Sequence, residues 1–401
     1  MKFFLPILIF SLIFGLVQWM LYRSLTRLEL SKLLKISILI FIILTYAFAV
    51  VQMMRVGPTS HAFTYYSAFF LLMFVPQLVH LLFGILSEFW IGGERLIFKD
   101  VNPSRRKFLA QLSLGLSALP FLGLLHGIFI GKYAFKRHRH ELHFNNLPLA
   151  FDNYKIVHIS DIHCGSLDDK SAIANAVELI NAEEADLVLF TGDLVNHEAK
   201  EVDEWEAILR NIQSKTGKYA VLGNHDYSPY SKTSAAEKRL ELERVKAKYK
   251  AINFDLLNNQ NIALWRGDEK IDLIGVEYWG NTMKNQPGDL EKAIEHIDPE
   301  RFKILMSHDP SHVEKIAFPH QMPFELSLSG HTHGLQFGIE IPGWFQWSPV
   351  QYVYKYWAGM YQRNGQFLNV NRGFGYHAYA GRTGIWPEIS VLTLKRNSTS
   401  V

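Results

Sequence analysis

Side chains able to bind divalent metal ions occur in five short clusters in the C-terminal part of the chain. These clusters offer carboxylate, imidazole and amide groups without a thiolate ligand, and such donors suit Mn, Fe, Zn, Co or Ni. Residues two apart in extended backbone point to the same side, so an Asp-x-His or His-x-His pair is expected to direct both side chains at one point. The clusters are Asp161-Ile162-His163, Gly192-Asp193, Gly223-Asn224-His225-Asp226, Ser307-His308 and Gly330-His331-Thr332-His333.

Each cluster follows a predicted β-strand. From about residue 142 the chain alternates short β-branched runs with helical segments, a pattern typical of an α/β domain. Predicted strands cover residues 154–160, 187–190, 219–222, 271–276, 303–306 and 326–329, and predicted helices cover residues 172–184, 202–213, 234–250 and 290–296. Because ligands bind at the carboxyl ends of strands in open α/β sheets, we expect the five clusters to meet in one crevice.

The order and spacing of these clusters resemble the motifs of the calcineurin-like metallophosphoesterase superfamily. The resemblance extends from about Asn153 to Leu394. Two shorter stretches, His158-Ile159-Ser160-Asp161 and Pro387-Glu388-Ile389, further resemble its membrane-attached bacterial branch, typified by the YkuE and YaeI proteins. The resemblance implies an α/β fold with a four-layer α/β/β/α sandwich, and an enzyme that hydrolyses phosphoric ester bonds.

The resemblance also implies a role for each residue of the site. Two divalent metal ions (Mn, Fe, Zn, Co or Ni) would activate a water molecule and hold the phosphoryl oxygens. Asp193 would bridge the ions and act in catalysis with Asn224, and His225 would protonate the leaving oxygen. The implied metal ligands are Asp161, His163, Asp193 and His333 for the first ion, and Asp193, Asn224, His308 and His331 for the second.

Other residues near the motifs have two interpretations. Asp226 is expected to support its turn rather than to orient His225. Arg372 and Arg382 lie in Gly-flanked loops, where a guanidinium either clamps a substrate phosphate or packs the loop. Leu335 stands where many relatives repeat glycine.

Four more polar residues have no partner assigned by the sequence, so we expect them to be surface or rim residues. They are Asn196, His197, His312 and His320. The single cysteine, Cys164, excludes an intramolecular disulfide and is expected to be a small packed residue.

The N-terminal third contains four apolar stretches, at about residues 3–22, 36–54, 65–86 and 108–131, each long enough for a transmembrane helix. Because these stretches contain no Asp, Glu, Lys or Arg, an anchor is favoured over a channel or transporter. The predicted organisation is a membrane domain over residues 1–135, a linker with a first strand over 136–152, the metallophosphoesterase domain over 153–396 and a tail over 397–401.

Basic residues predict the orientation of this anchor. Lys and Arg concentrate in the loops after the first and third spans, which are therefore expected to be cytoplasmic. Ser104-Arg105-Arg106-Lys107-Phe108-Leu109 resembles a twin-arginine export signal, although an ordinary basic flank has the same appearance. The sequence thus predicts a multi-pass protein of the cell membrane with an extracytoplasmic catalytic domain, and the twin-arginine export machinery as a partner. Opposing this orientation, Lys132, Lys136, Arg137 and Arg139 follow the fourth span.

Net charge and aromatic composition limit the classes of substrate and partner that are expected. The formal net charge is only +3 and basic residues are dispersed, so nucleic acid is not an expected partner. Many aromatic residues lie between Trp344 and Tyr361. They either pack in the core or lie at a membrane interface, where they would help the domain to reach a lipid-linked substrate. We therefore expect a hydrolase of phosphate monoesters, diesters or pyrophosphates, including lipid-linked ones. Two alternatives are a hydrolase similar to UDP-2,3-diacylglucosamine pyrophosphatase of lipid A biosynthesis, and a non-catalytic membrane receptor or scaffold.

Overall fold

A computed structural model describes residues 4–28, 30–57, 60–98, 103–228, 233–280 and 286–397. The chain divides into two compact units, Met1–Phe129 and Ile130–Val401. Helices dominate the first unit and β-sheets the second. The five sequence clusters all lie in the second unit.

The N-terminal unit consists of four long helices, α1 (Phe4–Arg27), α2 (Lys32–Val56), α3 (His61–Phe98) and α4 (Pro103–Phe129). Among the described residues, three segments are long and apolar enough to cross a membrane: Lys32–Val56, His61–Gly93 and Ser104–Phe129. Helix α1 covers the first predicted span, and the side chains of residues 4–11 lie outside the described ones. Three of the four predicted stretches thus form helices with the length and apolar character that a membrane span requires.

The C-terminal unit is built on two mixed six-stranded sheets. The first has the order β1-β14-β2-β3-β4-β5, the second has the order β12-β13-β9-β8-β7-β6, and β10 and β11 form a separate hairpin. The strands are β1 (Lys136–Phe144), β2 (Tyr154–Ile159), β3 (Leu187–Phe190), β4 (Gly217–Ala220), β5 (Asp255–Leu256), β6 (Gln260–Arg266), β7 (Glu269–Gly275), β8 (Lys303–Met306), β9 (Leu326–Ser329), β10 (Ile339–Ile341), β11 (Phe345–Trp347), β12 (Gly359–Arg363), β13 (Gln366–Val370) and β14 (Glu388–Arg396).

The two sheets pack face to face through alternate residues of their strands. Ile156 and Leu189 of the first sheet share a buried cluster with Leu273, Ile304 and Leu326 of the second. In a strand, neighbouring side chains point to opposite faces, so the alternate residues of these largely buried strands face the helices. This interface is the main core of the unit.

Helices cover the outer face of each sheet. On the first sheet, Tyr249 of α7 lies against Phe190 of β3, with ring centroids 5.4 Å apart. On the second, Leu290 of α8 clusters with Ile274 and Leu305. The helices of this unit are α5 (Lys170–Asn181), α6 (Glu206–Leu209), α7 (Ala235–Ala251), α8 (Leu290–Ala293) and α9 (Pro310–His312). The layers therefore run helix, sheet, sheet, helix, which confirms the expected α/β/β/α sandwich.

Local capping signals explain two helix starts, and tertiary packing explains one wrong prediction. The side chains of Asp169 and Ser234 cap α5 and α7 by accepting backbone N–H groups, so both helices begin beside a capping residue. The helix predicted over residues 202–213 is wrong in extent: a 3₁₀ turn, Ala199–Val202, precedes the single turn of α6. Trp205 is buried between these two turns, so tertiary packing overrides the helical pattern.

Candidate metal centre

The five clusters lie just beyond the carboxyl ends of strands from both sheets. Three follow β2, β3 and β4 of the first sheet, and two follow β8 and β9 of the second. Backbone hydrogen bonds continue between these loops: Asp161 N donates to Gly192 O at 2.9 Å and Gly330 N donates to His308 O at 2.9 Å. The clusters therefore meet at one edge of the sandwich, as their position in the sequence predicts.

The backbone at these loops is left-handed, not extended. The φ angles are 54° at Asp161, 50° at His163, 60° at Asp193, 71° at His331 and 51° at His333. The expectation that Asp-x-His and His-x-His point one way because the chain is extended is therefore wrong. Asp and His tolerate this region better than most residues, and such conformations cluster at functional sites.

Glycines allow these loops to approach the carboxylates closely. A Cβ added to Gly223 would lie 2.2 Å from Asp193 Oδ1, and one added to Gly330 would lie 2.3 Å from Asp161 Oδ2. Neither distance is compatible with a side chain. The glycine of each motif is thus required by the close contact between loops.

The first group of donors brings together Asp161, His163 and His333. The Nε2 atoms of the two histidines are 3.1 Å apart, and His333 Nε2 is 3.2 Å from Asp161 Oδ1. Asp193 approaches this group from the neighbouring loop, with Oδ2 3.6 Å from His163 Nε2. All four residues are buried. The geometry suits one cation enclosed by two carboxylates and two imidazoles.

The second group brings together Asp193, His308 and His331. Asp193 Oδ2 is 3.2 Å from His308 Nε2, and His331 Nδ1 is 3.2 Å from the same nitrogen. Asn224 Oδ1 also lies 3.2 Å from His308 Nε2. Asp193 thus takes part in both groups, and every residue of the implied ligand set lies in one of them.

Hydrogen bonds on the far side of two histidine rings leave their Nε2 lone pairs facing the groups. His308 Nδ1 is 2.6 Å from the carbonyl oxygen of Thr191, which only accepts, so Nδ1 carries the proton. His163 Nδ1 is 2.9 Å from Asn196 Oδ1 in the same arrangement, with the Asn196 amide nitrogen donating to Ser166. Metal-binding histidines are normally fixed in this way.

His333 does not follow this pattern. Its Nδ1 lies 3.2 Å from Nη2 of Arg382, and a guanidinium only donates hydrogen bonds. The tautomer therefore supports His163 and His308 as Nε2 ligands. The assignment of His333 as a ligand is supported only by its position beside Asp161 and His163.

The charge of the site calls for cations. Burial by itself raises the pKa of Asp161 and Asp193, but the neighbouring histidines outweigh burial and hold both values below the ordinary range. Burial likewise lowers the pKa of His308, yet the carboxylates of Asp193 and Asp161 outweigh it and raise the value to about 10. Two buried carboxylates thus remain ionised. The proton on His308 balances part of their charge, and a divalent metal ion would displace that proton and free the Nε2 lone pair.

His225 lies beside the first group, held by other contacts. Its backbone N–H donates to Asp193 Oδ1 at 2.8 Å, and its Nδ1 lies 2.8 Å from the carbonyl oxygen of Asn196. Its ring contacts His163 and His377, with centroids 4.9 and 4.4 Å away. Because Nδ1 donates to a carbonyl, a proton passed to a substrate has to leave from Nε2.

Sequence reasoning missed three residues of this environment. Asn196 and His197 are buried, not at the surface or rim, and Asn196 holds both His163 and His225. His377 belongs with His163 and His225 to a third group of possible ligands, and its ring is stacked on His163. Their loops have no periodic pattern, so the only available signal was the residue type.

Asp226 holds the turn that carries His225. Its carboxylate accepts backbone N–H groups from Asp193, Leu194 and Gly223 at 3.0, 3.0 and 2.8 Å, and the Tyr249 hydroxyl donates at 2.8 Å. The interpretation of Asp226 as turn support is confirmed by these bonds.

Both arginines considered as phosphate clamps are buried. Arg372 is held between the carboxylates of Glu388 and Glu340, which occupy its two terminal nitrogens. Arg382 donates to the carbonyl oxygens of Gly373 and Gly375. Burial lowers the pKa of Arg382 to about 9, so the guanidinium stays charged at neutral pH. The contacts of Arg372 favour loop packing, whereas Arg382 lies against His333 and is close to the site.

The burial or backbone conformation of four remaining residues can be compared directly with the predictions. His312 is buried, so its assignment to the surface is wrong, whereas His320 is partly exposed and contacts Glu291. Cys164 is buried as expected, and burial raises its pKa well above the ordinary value. Leu335 adopts φ 54°, a conformation that costs a non-glycine residue about 1–2 kcal/mol.

The fold and the site together define a class of metal-dependent hydrolases, with a two-sheet sandwich and histidine and carboxylate donors at its strand ends. Residues 154–335 match the family model "Calcineurin-like phosphoesterase", and residues 1–132 match "Probable Calcineurin-like phosphoesterase, transmembrane domain". The chain belongs to the calcineurin-like metallophosphoesterases and carries a transmembrane domain of that family.

Similar proteins occur in several bacteria. The metallophosphoesterase YkuE of Bacillus subtilis is 29% identical over 73% of this chain and 98% of that protein. A metallophosphoesterase of Helicobacter pylori strain J99 is 28% identical over 96% of this chain and 97% of its own length. The phosphodiesterase YaeI of Escherichia coli is 26% identical over 73% of this chain and 99% of that protein.

Proposed function

We propose that this chain is a membrane-anchored phosphoesterase with two metal ions, which hydrolyses phosphate monoesters, diesters or pyrophosphates, including lipid-linked ones. The position of Asp193 carries the proposal. Its Oδ2 lies 3.6 Å from His163 Nε2 in one donor group and 3.2 Å from His308 Nε2 in the other. A carboxylate shared in this way can bind two cations and offset their mutual repulsion.

The residues of the site have different proposed roles. Asp161, His163 and His333 would hold one ion and Asn224, His308 and His331 the other, with Asp193 between them. When bound, Mn, Fe, Zn, Co or Ni ions would supply an activated water and neutralise the phosphoryl oxygens. Thr191 and Asn196 hold the histidine rings in place from behind. Because Thr191 and Asn196 are buried and hold the rings in advance, little reorganisation of the histidines would be needed during the reaction.

His225 is the proposed general acid. The Asn196 carbonyl fixes its ring through Nδ1, and the bond from its backbone to Asp193 ties its position to the shared carboxylate. A protonated Nε2 would then deliver its proton to the leaving oxygen. His225 would not need to bind a metal ion for this role.

A pair of substitutions separates these roles. In the full-length protein, Asp193→Ala should lose metal and activity, whereas His225→Ala should lose activity and keep most of its metal. His143→Ala, at an exposed position of β1, is the matched control. The measurement is metal content together with turnover of aryl phosphate monoesters and bis-esters. Absence of any metal-dependent turnover in the unsubstituted protein would refute the proposal.

The orientation of the catalytic unit is part of the proposal. Arg105 and Arg106 lie in the first turn of α4, which begins at Pro103 and ends at Phe129. With these arginines in the cytoplasm, as the positive-inside rule favours, a single crossing by α4 places Ile130 and the residues after it outside. A reporter fused after Val401 tests this orientation. A cytoplasmic reporter would instead favour a nucleotide-linked substrate such as UDP-2,3-diacylglucosamine.

A further inference from the structure

Exposed apolar side chains of the C-terminal unit are concentrated in one segment. Among its described residues, twelve large hydrophobic side chains are exposed, and seven of these lie between residues 335 and 353. They are Leu335, Ile339, Ile341, Trp344, Phe345, Tyr352 and Val353, together called the apolar rim below. Scattered single hydrophobic residues are normal on a surface, but their concentration in one segment indicates an interaction site.

The hairpin β10–β11 presents this surface outward. Ile339 and Ile341 are exposed, whereas Glu340 between them points inward and pairs with Arg372. A strand at a protein surface normally shows the opposite alternation, with polar residues outward. Ile339 and Ile341 thus give the hairpin an exposed apolar face.

A tight turn places tryptophan at the tip of the hairpin. Trp344 N donates to Ile341 O at 3.0 Å, and Gly343 has φ 74°, as the third position of a type II turn after Pro342 requires. Trp344 is 81% exposed. Tyrosine and tryptophan are the residues enriched where protein meets the boundary between lipid and water.

The base of the hairpin adjoins the point where the C-terminal unit begins. A Cβ on Gly131 would lie 2.2 Å from the carbonyl oxygen of Arg382, so the two backbones are in contact. The next residue, Thr383, accepts a hydrogen bond from Gly338 N at 2.9 Å. Gly131 follows the apolar helix α4 by two residues. The base of the hairpin therefore lies close to the first residues of the C-terminal unit, which directly follow α4 in the chain.

The apolar rim also borders the metal centre. Leu335 follows His333 by two residues, and although its left-handed backbone suits glycine, it carries a side chain that is 54% exposed. Tyr354, next to the exposed Val353, places its hydroxyl 2.8 Å from His331 Nε2. The exposed leucine thus contributes apolar surface at a position where burial does not offset its backbone strain.

We propose that the apolar rim inserts into the lipid–water boundary of the membrane that anchors the chain, so that the metal centre acts on phosphoesters carried at the bilayer surface. This substrate class rests on the proposed phosphoesterase function, whereas the insertion itself does not. The bilayer is the favoured occupant for two reasons. The base of the hairpin lies near Gly131, two residues after the apolar helix α4 in the chain, and an exposed tryptophan lies at the tip. Shallow insertion of such side chains is the usual mode of interfacial binding.

Insertion is tested with a depth-sensitive label. The full chain carrying Trp344→Cys is labelled with bimane and reconstituted into phosphatidylcholine–phosphatidylglycerol vesicles whose acyl chains carry a nitroxide quencher. Trp265→Cys is the matched control, since Trp265 is 59% exposed on β6, outside the rim. The buried Cys164 does not compete for the label. Bimane at 344 should be quenched several times more strongly than at 265, and equal quenching would overturn insertion.

A kinetic experiment tests the substrate class. The double variant Trp344→Ser/Phe345→Ser should raise KM for a phosphoester borne on diacylglycerol in the same vesicles by about tenfold, since two aromatic anchors are lost. Turnover of a water-soluble aryl phosphate ester should stay unchanged, which also shows that the variant folds. An equal effect on both substrates, or none on either, would refute the lipid-surface role. A wild-type chain that inserts but hydrolyses neither ester would refute only the proposed function.

Discussion

Asn196 offers a sharp test of how the metal centre is held. Its side-chain oxygen lies 2.9 Å from His163 Nδ1, while its backbone carbonyl lies 2.8 Å from His225 Nδ1. Asn196→Ala removes only the first of these acceptors. His163 then loses the group that fixes its tautomer, whereas His225 keeps its partner. We expect metal binding and proton donation to respond differently to this one substitution.

The expected magnitude follows from the acceptor lost behind His163; the hydrogen bond from the Asn196 amide to Ser166 is lost as well, but Ser166 is not a proposed ligand. Removing a partner behind a ligating histidine costs about 10–100-fold in metal affinity, which corresponds to about 1.4–2.8 kcal/mol. Asn196 is buried, so water replaces the lost acceptor poorly. With metal in excess the first donor group fills again, and kcat should return close to its original value.

Metal titration and kinetics together provide the assay. Affinity is measured on the full-length metal-depleted protein, and kcat is measured at rising metal concentrations with an aryl phosphate ester. Asn261→Ala is the matched control, because this asparagine side chain also makes two hydrogen bonds, to the backbone oxygens of Ala293 and Glu295, but lies on the edge strand β6. The prediction would be refuted if metal affinity were unchanged and excess metal did not restore kcat. Asn196 would then act through the substrate or through His225.

Three further outcomes are expected. His377→Ala should lower kcat about 10–100-fold at unchanged metal content, because its ring packs against that of His225; loss of bound metal would make it a ligand instead. Tyr354→Phe should weaken metal binding about tenfold, since the hydroxyl lies 2.8 Å from His331 Nε2; an unchanged titration would contradict that contact. Glu388→Gln should destabilise the fold at neutral pH by about 3 kcal/mol. Burial by itself raises the pKa of Glu388, but Arg372 outweighs it and lowers the value from 4.5 to about 2. The stabilisation is thus present above pH 4.5 and lost as pH falls towards 2, so denaturant unfolding at several pH values should show the difference shrink in acid.

The central strands were predictable because they are short, apolar and completely buried. Residues 187–190, 303–306 and 326–329 form β3, β8 and β9 with the predicted bounds. Such runs are uniform in character, so the local pattern is sufficient. The bounds of β4 and β7 shift by about two residues, since their first residues are only partly buried.

The pairing of β1 and β14 was harder to predict. A first strand was expected within residues 136–152, but the exposed polar residues of KRHRHELHF do not define its bounds, and its pairing with β14 joins segments about 250 residues apart. β14 contains β-branched residues typical of a strand, but its place between β1 and β2 depends on long-range pairing. Local propensity contains no information about such a partner.

For the candidate metal centre, residue type and position after a strand were enough to predict that these side chains meet, because few other roles require so many such groups. The surrounding residues escaped detection for a physical reason. Asn196 acts partly through a backbone carbonyl, which any residue possesses, and His377 reaches the site from a loop more than 40 residues after His333. Both depend on tertiary proximity that spacing does not reveal.

The left-handed backbone at the ligand positions has a consequence for protein engineering. Copying Asp161, His163, Asp193, His331 and His333 onto another scaffold as side chains alone would aim them in the wrong directions, because their φ angles set where each Cβ points. A successful graft would have to transplant the strand-end loops together with the glycines that let them touch. The backbone of these loops is therefore what an engineered copy of the centre would have to reproduce.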